Sequence, residues 1–269
     1  MSAPRPKVVV LSFNNLGNFG DRLGYHILNQ ILPPQANVCY AHFAPWDVPE
    51  GPIDLLILGI GNSLFEKILT DRLIELMARV PRSIGIFGTQ YREVLNRDRL
   101  GLVLDRLDLW YARHEDDIAW FGAGRKNVCH LGDWLISAFP MTEPTSPKAL
   151  KLGLEVMKDM PMDRIIQLIQ KHRVVISPRL HPLLCALTSA EQVAYAEQRD
   201  YGGEMVSGKF ASMFRDIFGR SYPENCLIDV NREAVLKYKT EVHERLDRLR
   251  DHLRTLLGPP SGGSKPPAA

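Results

Sequence analysis

The chain of 269 residues is long enough for one large domain or two modest ones, and its 45% hydrophobic content excludes global disorder. With 33 basic and 31 acidic residues the formal charge is +2, so the overall surface is not one that attracts nucleic acid, and we expect no nucleic-acid partner. The four cysteines, Cys39, Cys129, Cys185 and Cys226, lack the spacing of zinc ligands. We interpret them as buried thiols and expect no metal site.

Membrane segments are not expected. The N-terminal valine run is much shorter than the apolar core of a signal peptide. No stretch reaches the roughly 18 apolar residues of a transmembrane helix. We therefore expect a cytoplasmic protein without a transmembrane segment, and the sequence leaves open both a peripheral position at the inner membrane and a homo-oligomer.

Short apolar runs alternate with amphipathic helical patterns in the first half of the chain. The runs are Val8–Leu11, Leu55–Leu58, Ile84–Phe87 and Leu109–Ala112, and the helical patterns cover Asp21–Leu32, Leu64–Val80, Val94–Leu107 and Asp116–Gly122. Continuous apolar runs are typical of strands buried on both faces, so the alternation predicts an α/β fold with a parallel sheet. We expect residues 1–140 to form an N-terminal Rossmann-like lobe, with Asp21 capping its first helix.

A Pro/Thr/Ser-rich segment, 140–147, interrupts this pattern and predicts a linker. Residues 148–230 then predict a smaller α/β lobe, and 231–257 predict a docking helix with an apolar stripe. The tail 258–269 is expected to be disordered. Within the smaller lobe the predicted elements are helices at 148–159 and 162–171, a strand at 173–177, a helix at 182–187, a strand at 193–196 and a helix at 209–218.

Polar and glycine residues follow three of the predicted strands. They are Asn18, Gly20 and Asp21 after the first strand, Gly59, Gly61, Asn62 and Ser63 after the second, and Gly88, Thr89 and Gln90 after the third. Because the carboxyl ends of parallel strands line the ligand crevice, these loops predict a shared cleft. The first loop is equally consistent with a capped turn that binds nothing. It is neither a GxGxxG fingerprint nor a P-loop, which disfavours a nucleotide cofactor.

Two arginines and a histidine are the strongest candidates for chemistry. Arg179 and His181 lie in Ser177–Pro182, between a buried strand and a helix start, where free backbone N–H groups favour anions. Arginine offers a planar fork to phosphate or carboxylate, and histidine transfers protons near neutral pH. Arg113 follows the fourth strand of the first half. The alternatives are that Arg179 and His181 only cap and pair, and that Arg113 forms an ion pair with Glu115 or Asp116.

As a series, these motifs resemble the polysaccharide pyruvyl transferase family. The resemblance extends over about residues 8–218 and is carried by Asn18–Asp21, Gly59–Leu64, Gly88–Gln90, Ala112–Arg113, Gly132–Asp133 and Ser177–His181. It implies a GT-B-like fold of two Rossmann-like lobes around a cleft. It also implies transfer of pyruvyl from phosphoenolpyruvate to a saccharide hydroxyl pair, forming a ketal during exopolysaccharide biosynthesis.

The resemblance assigns roles to individual residues. Arg179 and Arg113 would clamp the phosphate and carboxylate of phosphoenolpyruvate, with His181 as the acid/base beside Leu180. Lys209 matches a Lys-Phe pair of the family, although a surface lysine is the commoner explanation. No cofactor is implied besides phosphoenolpyruvate as donor substrate, and the acceptor would be a free or lipid-linked saccharide.

The chain also departs from the family. Ile60 stands where the family usually has glycine, which is expected to narrow the approach to that loop, and the second lobe is abbreviated. Two other functions therefore stay open. One is a sugar-nucleotide glycosyltransferase of the same architecture, which would need an acidic residue at the second-lobe side of the cleft. The other is a non-catalytic assembly subunit, which exposed apolar surface on the helix at 232–257 would favour.

Overall fold

The computed structural model describes residues 5–14, 18–60, 63–153 and 160–258. Over these ranges the chain is an α/β protein with a large parallel sheet, a smaller second sheet and a long helix that follows them. In the same ranges, no helix combines the length and the apolar character needed to cross a bilayer. The residues Gly61 and Asn62, the segment 154–159 and the tail 259–269 lie outside the described residues.

The first half of the chain builds the larger sheet. Its elements are β1 (Lys7–Asn14), α1 (Phe19–Ile31), β2 (Asn37–Ala44), β3 (Leu55–Leu58), β4 (Ser63–Leu64), α2 (Asp71–Arg79), β5 (Ser83–Thr89), α3 (Arg97–Asp105), β6 (Leu109–Ala112), α4 (Glu115–Asp117) and β7 (Val128–His130). Six strands run parallel in the order β2-β1-β3-β5-β6-β7, and the short β4 pairs with the end of β5.

Strand order explains where a ligand would bind on this sheet. The chain places β2 on one side of β1 and all later strands on the other side, so the order reverses between β1 and β3. In open α/β sheets the ligand crevice lies at such a reversal, outside the carboxyl ends of the strands. Here the end of β1 leads toward Asn18, which begins α1, and the end of β3 leads to Gly59.

The second half builds a four-stranded sheet, a short hairpin and further helices. Its elements are β8 (Ser146–Lys151), α5 (Met162–Gln170), β9 (His172–Ser177), α6 (Leu180–Leu187), β10 (Gln192–Tyr195), β11 (Arg199–Asp200), β12 (Met205–Val206), α7 (Lys209–Phe218), β13 (Ile228–Asp229) and α8 (Arg232–Leu257). The strand order is β13-β10-β9-β8, with β13 antiparallel to β10 and the other three parallel. Strands β11 and β12 form a separate hairpin.

The two sheets share one apolar core. A continuous cluster contains Val10 and Ile86 of the large sheet, Val175 and Val193 of the small one, and the buried stripe of α8. That stripe consists of Val235, Tyr238, Val242, Leu246, Leu249 and Leu253. The apolar side of α8 therefore packs against the chain itself, on the turn 134–138 and on α7.

Some predictions of local structure are wrong. Residues 146–151, expected to belong to the linker and to a helix at 148–159, form β8. This edge strand has mostly exposed side chains, so it lacks the apolar run by which a buried strand is recognised. The predicted helix at 64–80 shortens to α2 and the one at 94–107 to α3. Edge strands β2 and β7 were missed for the same reason as β8, since both are partly exposed.

The N-terminus of α1 also differs from expectation. Asn18, not Asp21, is the N-cap: its Oδ1 accepts hydrogen bonds from the backbone N–H groups of Gly20 and Asp21. The Asp21 carboxylate accepts from the backbone N–H of Asn18 in return, which completes a capping box. The cysteine prediction is only partly right, because Cys185 is buried whereas Cys226 is exposed and the other two thiols are half-buried.

Candidate functional site

A cleft of about 370 Å³ lies between the two halves of the chain. The first half contributes residues that follow β1, β5 and β6, and the second half contributes residues that follow β9 and β10. The charged and polar side chains that line it include Asn18, Gln90, Arg113, Arg179, His181 and Lys209. We call this feature the interlobe cleft. It occupies the position at which the strand order predicts a ligand.

Seven of the predicted site residues line the interlobe cleft: Asn18, Gln90, Arg113, Arg179, Leu180, His181 and Lys209. Five others are buried and do not line the cleft: Gly20, Asp21, Gly59, Gly88 and Thr89. Ser63 pairs through its backbone with Gly88. Gly61 and Asn62 are outside the described residues. The Ile60 side chain, expected to narrow this region, instead points into the core. Only part of the predicted set can therefore contact a ligand in the cleft through its side chains.

Arg113 is held in place from behind by a chain of polar contacts. Its Nε donates to Nε2 of His114 over 3.1 Å, and Nδ1 of His114 lies 2.7 Å from the Asp216 carboxylate on α7. His114 and Asp216 are both buried, and the two histidines beside Asp216 hold its carboxyl pKa well below the usual range against the opposing effect of burial. A Cβ on Gly88 would lie 2.9 Å from Arg113 Nε, so glycine there makes room for the guanidinium. The sequence also allowed an ion pair of Arg113 with Glu115 or Asp116. In the structure His130 lies beside Glu115 and Arg215 pairs with Asp116.

A second polar network joins the halves beneath the interlobe cleft. Oδ1 of the buried Asp117 accepts from the N–H and hydroxyl of Thr89 and from Nε and Nη2 of Arg92. Nη1 of Arg92 donates to the Ser212 hydroxyl of α7 over 2.9 Å, and that hydroxyl donates to Asp116. Thr89, expected to contact substrate, therefore has its side chain in this network. The network fixes α7 against the large sheet.

Arg179 and His181 begin α6 at the cleft. Arg179 is the N-cap of α6, and its backbone N–H donates to the Ser177 hydroxyl over 3.0 Å. No side chain of the described residues caps α6, so its first N–H groups and the helix dipole face the cleft with a positive potential. The helix starts two residues earlier than predicted, which puts His181 in its first turn.

His181 is packed tightly against the N-terminus of α1. A Cβ built on Gly20 would lie only 1.7 Å from Nδ1 of the ring, so no residue other than glycine fits there. The side chain is 12% exposed. Burial is the main cause that lowers the pKa of His181, to about 4. Asp133 opposes this shift, whereas Arg113, Lys209 and His114 add to it. The imidazole is therefore neutral near pH 7.

Lys209 is the most informative cation of the site. It is the first residue of α7 and only 7% exposed, and its Nζ donates to the Gln198 amide oxygen. Burial lowers its pKa to about 7, helped by Arg113 and Arg179 and opposed by Glu197. Three cations thus approach one another closely enough to disfavour the charge of one of them, an arrangement that an anionic ligand would relieve.

Several lining residues were not identified from the sequence. They are Phe13, Phe19, Phe65 and Tyr91 on the aromatic wall, with Lys67, Gln198 and Asp200 at the rim. Lys67 and Asp200 approach each other across the cleft at 3.7 Å. Tyr91 has a positive φ of 51°, which is strained for a bulky residue and more frequent near functional sites. Of these residues, only Tyr91 is marked as unusual, by its positive φ, and a backbone angle cannot be read from the sequence.

Known proteins do not extend these observations. Comparison with models of protein families finds no match to the chain, and a search among curated proteins finds no significant match. Among the described residues, no group of three or more His, Cys, Asp or Glu side chains is arranged to hold a metal ion.

Proposed function

We propose that the protein is a pyruvyl transferase that moves the pyruvyl group of phosphoenolpyruvate onto a hydroxyl pair of a saccharide, with the two halves acting as GT-B-like lobes. The observation that carries the proposal is the convergence of Arg113, Arg179 and Lys209 on one small cleft beside His181. The motif series that resembles the polysaccharide pyruvyl transferases supports the same donor.

The charge of the interlobe cleft suits phosphoenolpyruvate. This donor carries a phosphate and a carboxylate on the same carbon atom, and arginine forks bind both groups in a bidentate manner. Arg113 comes from the first half and Arg179 from the second, so one small anion could contact both. The N–H groups at the start of α6 add hydrogen-bond donors on the same side.

The proposed reaction moves two protons and one phosphate. A proton is added to the methylene carbon of the donor, and the first sugar hydroxyl adds to the adjacent carbon while losing its proton. The oxygen of the second hydroxyl then displaces phosphate from the same carbon, which closes the ketal. The phosphate leaves with the second proton. His181 would exchange the protons, and Arg113 and Arg179 would stabilise the departing phosphate.

The aromatic wall supports a saccharide as acceptor. Phe13 and Phe65 lie with ring centroids 5.1 Å apart and both line the cleft, next to Tyr91. The C–H faces of a pyranose pack on such rings, and the polar rim residues Gln198 and Asp200 offer hydrogen bonds to hydroxyl groups. A volume of about 370 Å³ exceeds what the small donor alone would fill.

The test is phosphate release from phosphoenolpyruvate over a panel of saccharides. His181→Ala and Arg179→Ala are expected to abolish release, whereas the exposed-surface controls His243→Ala and Arg220→Ala should retain it. Release that survives both cleft substitutions would refute the assignment of the site. Absence of phosphoenolpyruvate binding to the wild-type protein would refute the donor.

A sugar-nucleotide glycosyltransferase is the second candidate, favoured by one observation. Asp200 lines the second-half side of the cleft, where such an enzyme would need an acid to contact a ribose. Saturable binding of a nucleoside diphosphate, lost in Asp200→Ala and without competition from phosphoenolpyruvate, would support this function instead. The assembly-subunit alternative lacks the exposed apolar stripe that would favour it, because the stripe of α8 is buried.

A further inference from the structure

A buried carboxylate lies beside Nε2 of the His181 imidazole. Oδ2 of Asp133 lies 3.6 Å from Nε2 of His181, and Asp133 is fully buried. Among the described residues, neither of these two atoms has a hydrogen-bond partner. Two unsatisfied buried polar atoms at this separation are costly unless they serve one another, since a small rotation of the ring would close the gap to a hydrogen bond.

We propose that Asp133 is a positioning residue that holds the proton of neutral His181 on Nε2, so that Nδ1 is the nitrogen that exchanges protons with the substrate. The inference rests on the proposed role of His181 as the acid/base. A carboxylate only accepts hydrogen bonds, so Nε2 beside it carries the proton and Nδ1 keeps the lone pair.

The rest of the local structure fixes Asp133 in this role. Its Oδ1 accepts from the backbone N–H of Leu135 over 3.4 Å, as the cap of the 3₁₀ turn Trp134–Ala138. Its own backbone N–H donates to the Tyr238 hydroxyl of α8 over 2.6 Å. With Oδ1 and the backbone committed, only Oδ2 is directed at the ring.

The ring of His181 also borders the reaction space, because His181 lines the cleft together with Asn18 and Phe19. Nδ1 packs against the N-terminus of α1, in the volume that a Cβ at Gly20 would take. Long contacts between catalytic groups are common before substrate binds and shorten when the complex forms. When Nδ1 takes a proton, the Asp133 carboxylate would stabilise the resulting imidazolium.

Four charged or titratable groups act on the charge of His181. Asp133 favours the imidazolium, whereas Arg113, Lys209 and His114 oppose it, and burial opposes it most. An anion bound to Arg113 and Lys209 would offset two of the opposing charges. Donor binding would thereby raise the pKa of His181 and make proton exchange at Nδ1 accessible near neutral pH.

The tautomer can be read directly by nitrogen NMR of the imidazole rings, because protonated and unprotonated ring nitrogens resonate far apart. The signals of His181 are assigned by their loss in His181→Gln. In the wild-type protein at pH 7 we expect the protonated nitrogen to be Nε2. A proton on Nδ1 instead would overturn the inference whether or not the protein turns over phosphoenolpyruvate, so this result is separable from the proposed function.

Asp133→Asn is the decisive variant. Leu135 N–H keeps the amide oxygen on its side, which turns the amide NH₂ toward Nε2 and forces the proton of His181 onto Nδ1. We expect this tautomer switch, a lower pKa of His181 because an anion is lost, and a fall in kcat on the order of a thousandfold with an unchanged KM for phosphoenolpyruvate. Retention of the wild-type tautomer with a similar loss of activity would mean that Asp133 is merely structural.

Asp216→Asn is the matched control. The Asp216 side chain is also buried and also lies beside a histidine, but that histidine is His114, whose Nδ1 lies 2.7 Å from the carboxylate. Its substitution should change the signals of His114 and leave the tautomer of His181 as it is. A switch of His181 in this control as well would contradict a specific role for Asp133.

Discussion

Protonation of Lys209 should control how tightly the interlobe cleft binds phosphoenolpyruvate. Burial and the neighbouring arginines lower the pKa of Lys209 from 10.5 to about 7, which corresponds to about 5 kcal/mol of opposition to its ammonium form. A bound dianion reverses part of this opposition. Above pH 7, binding should therefore take up a proton, and affinity should fall as the pH rises.

The size of the effect follows from the charges involved. A unit charge about 4 Å from the ammonium contributes about 4 kcal/mol at an effective dielectric constant of about 20, which would return the pKa of bound Lys209 to roughly 10. Between pH 7.5 and about 9 the Kd should then rise roughly tenfold per pH unit. The phosphate, whose second pKa is about 6, does not titrate in this window. Neither does His181 of the free protein, whose pKa is about 4.

Isothermal titration calorimetry in buffers of different ionisation enthalpy measures both the Kd and the proton uptake. Near pH 8.5 we expect uptake of about one proton per phosphoenolpyruvate bound. Lys209→Met should bind more weakly and lose both the uptake and the slope. Lys239→Met is the matched control, because burial also lowers the pKa of Lys239, to about 8, but its ammonium bonds the carbonyls of Ile136 and Ser137 away from the cleft. Zero uptake in the wild type, or an unchanged slope in Lys209→Met, would refute the reasoning.

Three further substitutions test other parts of the site. Gly20→Ala puts a Cβ 1.7 Å from Nδ1 of His181, and the displaced ring should cost about a hundredfold in phosphate release and lower the Tm, because the buried site is overpacked; normal turnover would contradict the packing. Arg92→Met leaves the buried Asp117 without its guanidinium and should lower the free energy of unfolding in urea by about 3–5 kcal/mol. A change below about 1 kcal/mol would speak against the network. Phe65→Ala should raise the KM of the saccharide several-fold and leave that of phosphoenolpyruvate unchanged; equal effects on both would refute an acceptor wall.

Buried elements of this fold are the ones that the sequence predicts well. Four elements form with the predicted bounds: the strands Leu55–Leu58 and Leu109–Ala112 and the helices 209–218 and 232–257. Their apolar runs and 3.6-residue apolar stripes arise from burial and can be read from the sequence. The sequence predicts a linker and a helix in place of the edge strand β8. An edge strand is paired on one side only, and the exposed residues of β8 form no apolar run that would indicate a strand.

Site residues divide along the same physical line. Arg113, Arg179 and His181 could be found because they follow buried strands, where chain order alone predicts convergence. The roles of Arg92 and of Asp133, which the sequence gives only as part of the motif series, could not be predicted, because they depend on contacts across the two halves. One clue was available: Lys209, Ser212 and Asp216 share a face of α7, whose other face is apolar. A polar stripe at helical spacing beside an apolar one indicates a second partner.

Helix α7 links the folding of the site to its charge. It supplies Asp216, which holds His114 and through it Arg113, and it supplies Lys209, whose charge Arg113 opposes. The contacts that dock α7 against the large sheet therefore force two cations together, at a cost that the Arg92 network and the shared core must offset. An anion between those cations removes the repulsion without loosening the docking. Binding of a dianion and docking of α7 against the large sheet should consequently reinforce each other.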